Sequence, residues 1–166
     1  MPRFASVTFN PDEPMPPQTA DWTCAACSLA WLNRALYIDH ATDEWAAVDY
    51  IGNPENINQQ YGLMDGSGRV LADRLIAQGA PAWCCWPSWD EVYQLSGVGA
   101  LLIGGGGWYH WVGVRAPAGA NLLIANSAPG WGGVWDSLAS SDWQRLGPFA
   151  AVFVPVSTQF PPPPEA

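Results

Sequence analysis

The stretch YHWVGVRAPAGANLLIANS (residues 109–127) sets two apolar runs, rich in Val, Ile and Leu, on either side of a Pro-Ala-Gly-Ala segment. Short runs of this kind bounded by turn formers read as the two strands of a β-hairpin. Centring the turn on Ala118 makes His110 face Asn126, with Cβ atoms about 5 Å apart on one face of the ribbon. A slip of one residue would break that alignment, so the register is a testable expectation. Working outward, GALLIGG before the hairpin and PFAAVFVPV after it have the same strand character, and APAWCCW reads as a further strand.

Upstream the pattern is helical. From Cys24, the apolar residues Ala25, Leu29, Leu32 and Leu36 fall on one helix face, with Asp21 and Thr23 as candidate caps. ATDEWAAVDYIG reads as a second helix, opened by Thr42 or Asp43 and closed by Gly52. DGSGRVLADRLIAQGA is a glycine-rich turn followed by a helix ending at Gly79, and SWDEVYQL carries a further helical turn. Helices come first and strands later, which implies an α+β class with an antiparallel sheet. Prolines crowd residues 1–17 and 158–166, so both ends are expected to run extended and to pack poorly around a domain spanning residues 18–157.

Bulk composition narrows the function. The 166 residues fit one domain, and 49% hydrophobic residues with only 13% charged ones describe a packed globular chain. The formal charge is −9, carried against six Arg and no Lys, so a nucleic-acid partner is not expected. No run approaches a membrane span and the first residues lack the apolar segment of a signal peptide, so neither a membrane partner nor export is expected, with the cytoplasm as the default location. Cys24, Cys27, Cys84 and Cys85 do not form the pattern of a disulfide framework. The GGGG run at 104–107 lacks the ending of a phosphate loop, and MDGSG has too few carboxylates for a calcium loop. No metal or organic cofactor is implied.

The chemistry concentrates in QTADWTCAACSLAWLNRAL (residues 18–36) and the hairpin. A thiol at a helix N-terminus meets unpaired N–H groups and the positive end of the dipole, both of which favour thiolate. Cys24 has that position. An imidazole beside a carboxamide is held in one tautomer and orientation, as His110 would be by Asn126. Gln18, six residues before Cys24, is placed to donate to an oxyanion together with the Cys24 backbone N–H. Competing readings remain: a redox pair formed by Cys24 and Cys27, a zinc site using all four cysteines, a packing role for Cys27, Cys84 and Cys85, and a core position for His110. His40 reads as a surface or capping residue.

QTADWTCAACSLAWL resembles the Gln-x5-Cys-Gly-Pro/Ala-Ala-x-Leu-Ala motif of papain-like cysteine peptidases of the C39-like type. WYHWVGV is similar to the family's His strand, LLIANSAPGWGG to its strand ending in Asn/Asp-x-Ala-x-Gly, WDSLASSDWQRL to the polar helix and Trp segment that follows, and FAAVFVPV to its closing strand. The resemblance implies a papain-like fold with N-terminal helices packed on a C-terminal antiparallel sheet. It also implies a peptidase or amidase acting on a peptide or peptide-like substrate, with Cys24 as nucleophile, His110 as base and acid, Asn126 orienting the ring and Gln18 as oxyanion donor. Ala25 stands where the family usually has Gly, and Asn126 where bacterial members commonly have Asp. An acyltransferase on the same residues, or a non-catalytic binding module of the same fold, is the alternative. Oligomeric state is not legible.

Overall fold

A computed structural model describes residues 7–105, 107–128, 130 and 134–156. The first helix, α1, covers Cys24–Ala35, beginning at the residue expected. It is followed by α2 (Glu44–Ile51), a small hairpin of β1 (Ile57–Asn58) and β2 (Gly62–Leu63), and α3 (Arg69–Ala77). Next come β3 (Trp83–Cys85), α4 (Trp89–Ser96), β4 (Gly99–Gly104), β5 (Trp111–Ala118) and β6 (Asn121–Ala125). The remaining elements are β7 (Ser137–Leu138), α5 (Ser140–Leu146) and β8 (Ala150–Pro155).

Local chemistry explains the boundaries. Asp43 caps α2 by accepting from the Ala46 N–H at 2.8 Å, and Gly52 closes it at φ 115°, a left-handed position that glycine alone adopts without strain. Ser88 and Glu91 form a reciprocal capping box that starts α4. Thr23, by contrast, precedes α1 without capping it, because its hydroxyl is engaged elsewhere.

The main sheet is antiparallel throughout, in the order β3-β8-β4-β5-β6-β7. In β4, Ala100 and Leu102 face one core while Leu101 and Ile103 face another; β8 alternates likewise. The sheet is therefore buried on both faces, which is why these strands read as continuous apolar runs. Residues of α1, α2 and α3 fill the first core, as the α+β reading anticipates, while Val92 of α4, Trp143 of α5, Trp108 and Phe149 fill the second. Gly113 of β5 lets α1 approach closely, since a Cβ there would lie 2.2 Å from the Trp31 ring.

Two expectations need correction. The hairpin register is not centred on Ala118: Ala118 pairs Asn121 around a Gly119-Ala120 turn, with Gly119 at φ 59°. An irregularity between Val114 and Ala116 then shifts the pairing, so that Val114 faces Ile124 and Gly113 faces Ala125. The second correction concerns residues 7–17, which pack closely. Val7, Phe9 and Met15 lie against the core, Trp31 Nε1 donates to the Glu13 carbonyl at 2.8 Å, and Arg115 Nη1 donates to the carbonyls of Pro11 and Glu13. Residues 158–166 lie outside those described.

Candidate functional site

The register found in the hairpin, continued by one step, sets Asn126 opposite Val112 and His110 one diagonal away on the same face. Diagonal neighbours are within reach of long side chains. His110 Nε2 and Asn126 Oδ1 accordingly lie 2.8 Å apart, so the contact expected from sequence exists although the alignment proposed for it does not. The Asn126 amide is held by two further bonds. Its Nδ2 donates to the Val134 carbonyl at 3.0 Å, and its Oδ1 also accepts from the Ala128 N–H. With the amide oxygen fixed toward the ring, a neutral imidazole carries its proton on Nε2, which leaves Nδ1 as the basic atom.

Cys24 begins α1 and is 8% exposed. The backbone N–H groups of Trp111, the residue after His110, of Ala25 and of Cys24 itself lie near enough to its thiol to favour the thiolate. Ser28, one turn on, contacts the carbonyls of both Cys24 (2.8 Å) and Trp111 (3.0 Å). The first turn of α1 is thus tied to the start of β5, and the thiol sits beside the chain that carries the imidazole.

Electrostatics here depart from the expectation of a resting thiolate. Burial pushes the Cys24 thiol above its ordinary range and outweighs the backbone N–H groups that pull it down. Burial likewise lowers His110 to about 4, against the opposing effect of Asn126. The surroundings explain the dryness. His110 is 2% exposed, and Trp108 packs edge-on against it with ring centroids 5.1 Å apart and Phe149 behind. Trp108 Nε1 is buried with no hydrogen-bond partner among the described residues. The two groups therefore rest as thiol and neutral imidazole.

Gln18 stands over the same corner. Its Oε1 accepts from Ser127 Oγ at 2.7 Å, its backbone N–H donates to the Ser127 carbonyl, and one Nε2 hydrogen goes to the Ala20 carbonyl at 2.9 Å. An amide nitrogen has two hydrogens, so one remains for another acceptor. The segment between Gln18 and Cys24 is held by Glu44, at the start of α2. The Glu44 carboxylate accepts from Thr19 N (2.7 Å), Thr19 Oγ1 (2.7 Å) and Thr23 Oγ1 (2.6 Å). Glu44 and Ser127 were not singled out in the sequence. Ser127 at least adjoins Asn126, whereas Glu44 lies in another helix and carries no local signal.

The other cysteines are placed differently. Cys27 is fully buried beside Thr23 and Ser127, and burial with the Glu44 charge raises it to about 12. Adjacent on β3, Cys84 belongs to the helix-covered core and Cys85 packs against the second one, so their side chains take opposite faces of the sheet. Among the described residues no three His, Cys, Asp or Glu side chains group to hold a metal ion. No helix there is long and apolar enough to cross a membrane. His40 is exposed, with its ring edge-on to Tyr50.

Cys24 opens onto a cleft of about 520 Å³ whose walls include Asp21, Trp22, Tyr61, Met64, Tyr109 and Trp111. Of the GGGG run, Gly105 (φ 64°) packs so near the Gly66 carbonyl that a Cβ would lie 2.2 Å from it, and a Cβ on Gly104 would lie 2.1 Å from the His110 carbonyl. These glycines allow two stretches of backbone to meet at the cleft edge. Gly106 lies outside the described residues.

No protein-family model matches this chain, and no curated protein matches it. Solved structures do. The crystal structure of a double-glycine-motif protease from an AMS/PCAT transporter, in complex with its leader peptide, is similar over 86% of this chain and 91% of its own, with a TM-score of 0.63 at 15% identity. A Bacillus anthracis protein described as a C39-like peptidase is similar over 91% of this chain and 98% of its own, with a TM-score of 0.58 at 15% identity. The likeness is one of fold: helices on a six-stranded antiparallel sheet, as in these C39-type peptidases.

Proposed function

We propose that the chain is a cysteine peptidase or amidase that cleaves a peptide or peptide-like substrate. One observation carries the reading: the His110 ring, bonded to Asn126, stands one residue before Trp111, whose backbone lies beside the Cys24 thiol at the start of α1, and Cys24 lines an open cleft. Because both groups rest neutral, the proton moves as the reaction starts. Nδ1 of His110 takes the Cys24 proton while the sulfur attacks the carbonyl carbon. The oxyanion accepts from the spare Gln18 Nε2–H and the Cys24 backbone N–H. The imidazolium, held by Asn126, returns its proton to the leaving amine. Water, deprotonated by the same imidazole, then releases the acyl group from the thioester. A peptide substrate agrees with the leader peptide bound to the similar transporter protease.

The test is alkylation of the native protein by iodoacetamide between pH 6 and 9, with mass spectrometry locating the adduct. Cys24 should react at least about tenfold faster than Cys27, Cys84 and Cys85, and the rate should rise with pH, since it starts as thiol. His110→Ala should slow it. Four cysteines alkylating alike, or a Cys24 rate indifferent to His110→Ala, would remove the catalytic reading.

A further inference from the structure

We infer that the cleft beside Cys24 receives a cationic group of the substrate, a Lys or Arg side chain near the bond that is cut, between Asp21 and the rings of Trp22, Tyr61 and Tyr109. This rests on the reading of Cys24 as nucleophile. Asp21 lies three residues before Cys24, is exposed, and is the one charged side chain among the residues lining the cleft. It makes no hydrogen bond or salt bridge with any described residue. No Arg lines the cleft, the chain has no Lys, and its formal charge is −9, so no cation among the described residues answers that carboxylate.

The rings around it are exposed in a way that packing does not explain. Tyr61 is 65% and Tyr109 83% exposed. Tyr109 has φ 58°, a left-handed conformation unfavourable for a bulky side chain, and an exposed ring recovers little of that cost from the fold. The small hairpin that carries Tyr61 is held close to Trp22, since a Cβ on Gly62 would lie 3.3 Å from the Trp22 carbonyl. Trp22 is itself steadied edge-on by Trp45. A carboxylate among aromatic faces is the chemistry that takes ammonium and guanidinium groups and repels acids.

The test compares two methanethiosulfonate reagents on the native protein, one bearing a trimethylammonium group and one a sulfonate. Each forms a mixed disulfide with the Cys24 thiolate and releases methanesulfinate, and mass spectrometry locates the adduct. The cation-to-anion rate ratio is divided by the same ratio for free cysteine. The expected quotient is about ten or more, a factor within reach of local charge steering. Asp21→Asn and Tyr109→Ala should each lower it about threefold. A quotient near one, or one unchanged in both variants, overturns the cation site while leaving the nucleophile in place. Failure of Cys24 to react with either reagent overturns the nucleophile reading and the site with it. In a pool of peptides of equal length, bonds beside Lys or Arg should be cut well before bonds beside Glu; cleavage indifferent to that residue also overturns the proposal.

Discussion

Replacing Glu44 by Ala removes a buried carboxylate that accepts three hydrogen bonds from the segment joining Gln18 to Cys24. Bonds to a charged acceptor contribute about 1.5–3 kcal/mol each when buried. The two donors on Thr19 belong to an exposed residue and recover much of that from water, and the Thr23 hydroxyl keeps the Ala20 carbonyl as an acceptor at 2.9 Å. The net loss should therefore be nearer one and a half such bonds than three, about 3 kcal/mol. With a urea m-value of about 2 kcal/mol/M, the unfolding midpoint should fall by about 1.5 M. Glu44→Gln keeps the shape and one carbonyl acceptor and should lose less than half as much. The measurement is a urea titration of the three proteins followed by intrinsic fluorescence. An Ala variant within about 0.5 kcal/mol of the wild type, the range of ordinary surface substitutions, would show that this carboxylate does not hold the segment.

Stability should also depend on pH through His110. Its folded value of about 4 lies below the ordinary 6.5, so on acidification the unfolded chain takes up the proton first. The contribution is complete above pH 6.5 and is lost as pH falls toward 4, amounting to about 3 kcal/mol. Urea midpoints at pH 7 and pH 4.5 should thus converge in His110→Gln relative to the wild type, and equal differences in the two proteins would contradict the assignment. Gly113→Ala should destabilise by about 1–3 kcal/mol, because the new methyl meets the Trp31 ring at 2.2 Å inside a packed interface. A calorimetric midpoint unchanged in that variant would mean that α1 does not sit so close to the sheet.

What the sequence discloses here follows the range of the forces involved. Helix starts and stops depend on residues within one turn, so Asp43, Gly52 and the Ser88–Glu91 box mark their helices directly. The strands β4 and β8 announce themselves by unbroken apolar content, and that same feature conceals the second core, since a strand buried on both faces does not say what covers it. The hairpin register went astray because the turn falls at Gly119-Ala120 and not at Ala118, and the irregularity between Val114 and Ala116 moves the pairing only one step back. The pairing of His110 with Asn126 nonetheless came through, as the true register kept both on one face. The short β1 and β2 are too polar and too brief to show a period. The lowered His110 was not legible at all, since it depends on burial beside Trp108, which packs edge-on against the ring and is backed in turn by Phe149.

The bonds that assemble the corner around Cys24 span great lengths of chain: Ser28 to Trp111, Gln18 to Ser127, and Arg115 back to Pro11. A ribosome-bound chain that has emerged only through β4 carries the thiol and Gln18 but neither His110 nor Asn126. Until β5 has joined the sheet Cys24 has no Trp111 beside its sulfur, and until β6 has followed Gln18 has no Ser127 to hold its amide. On the proposed mechanism, competence then arrives abruptly and late in synthesis, and a prematurely terminated product would carry an inert cysteine.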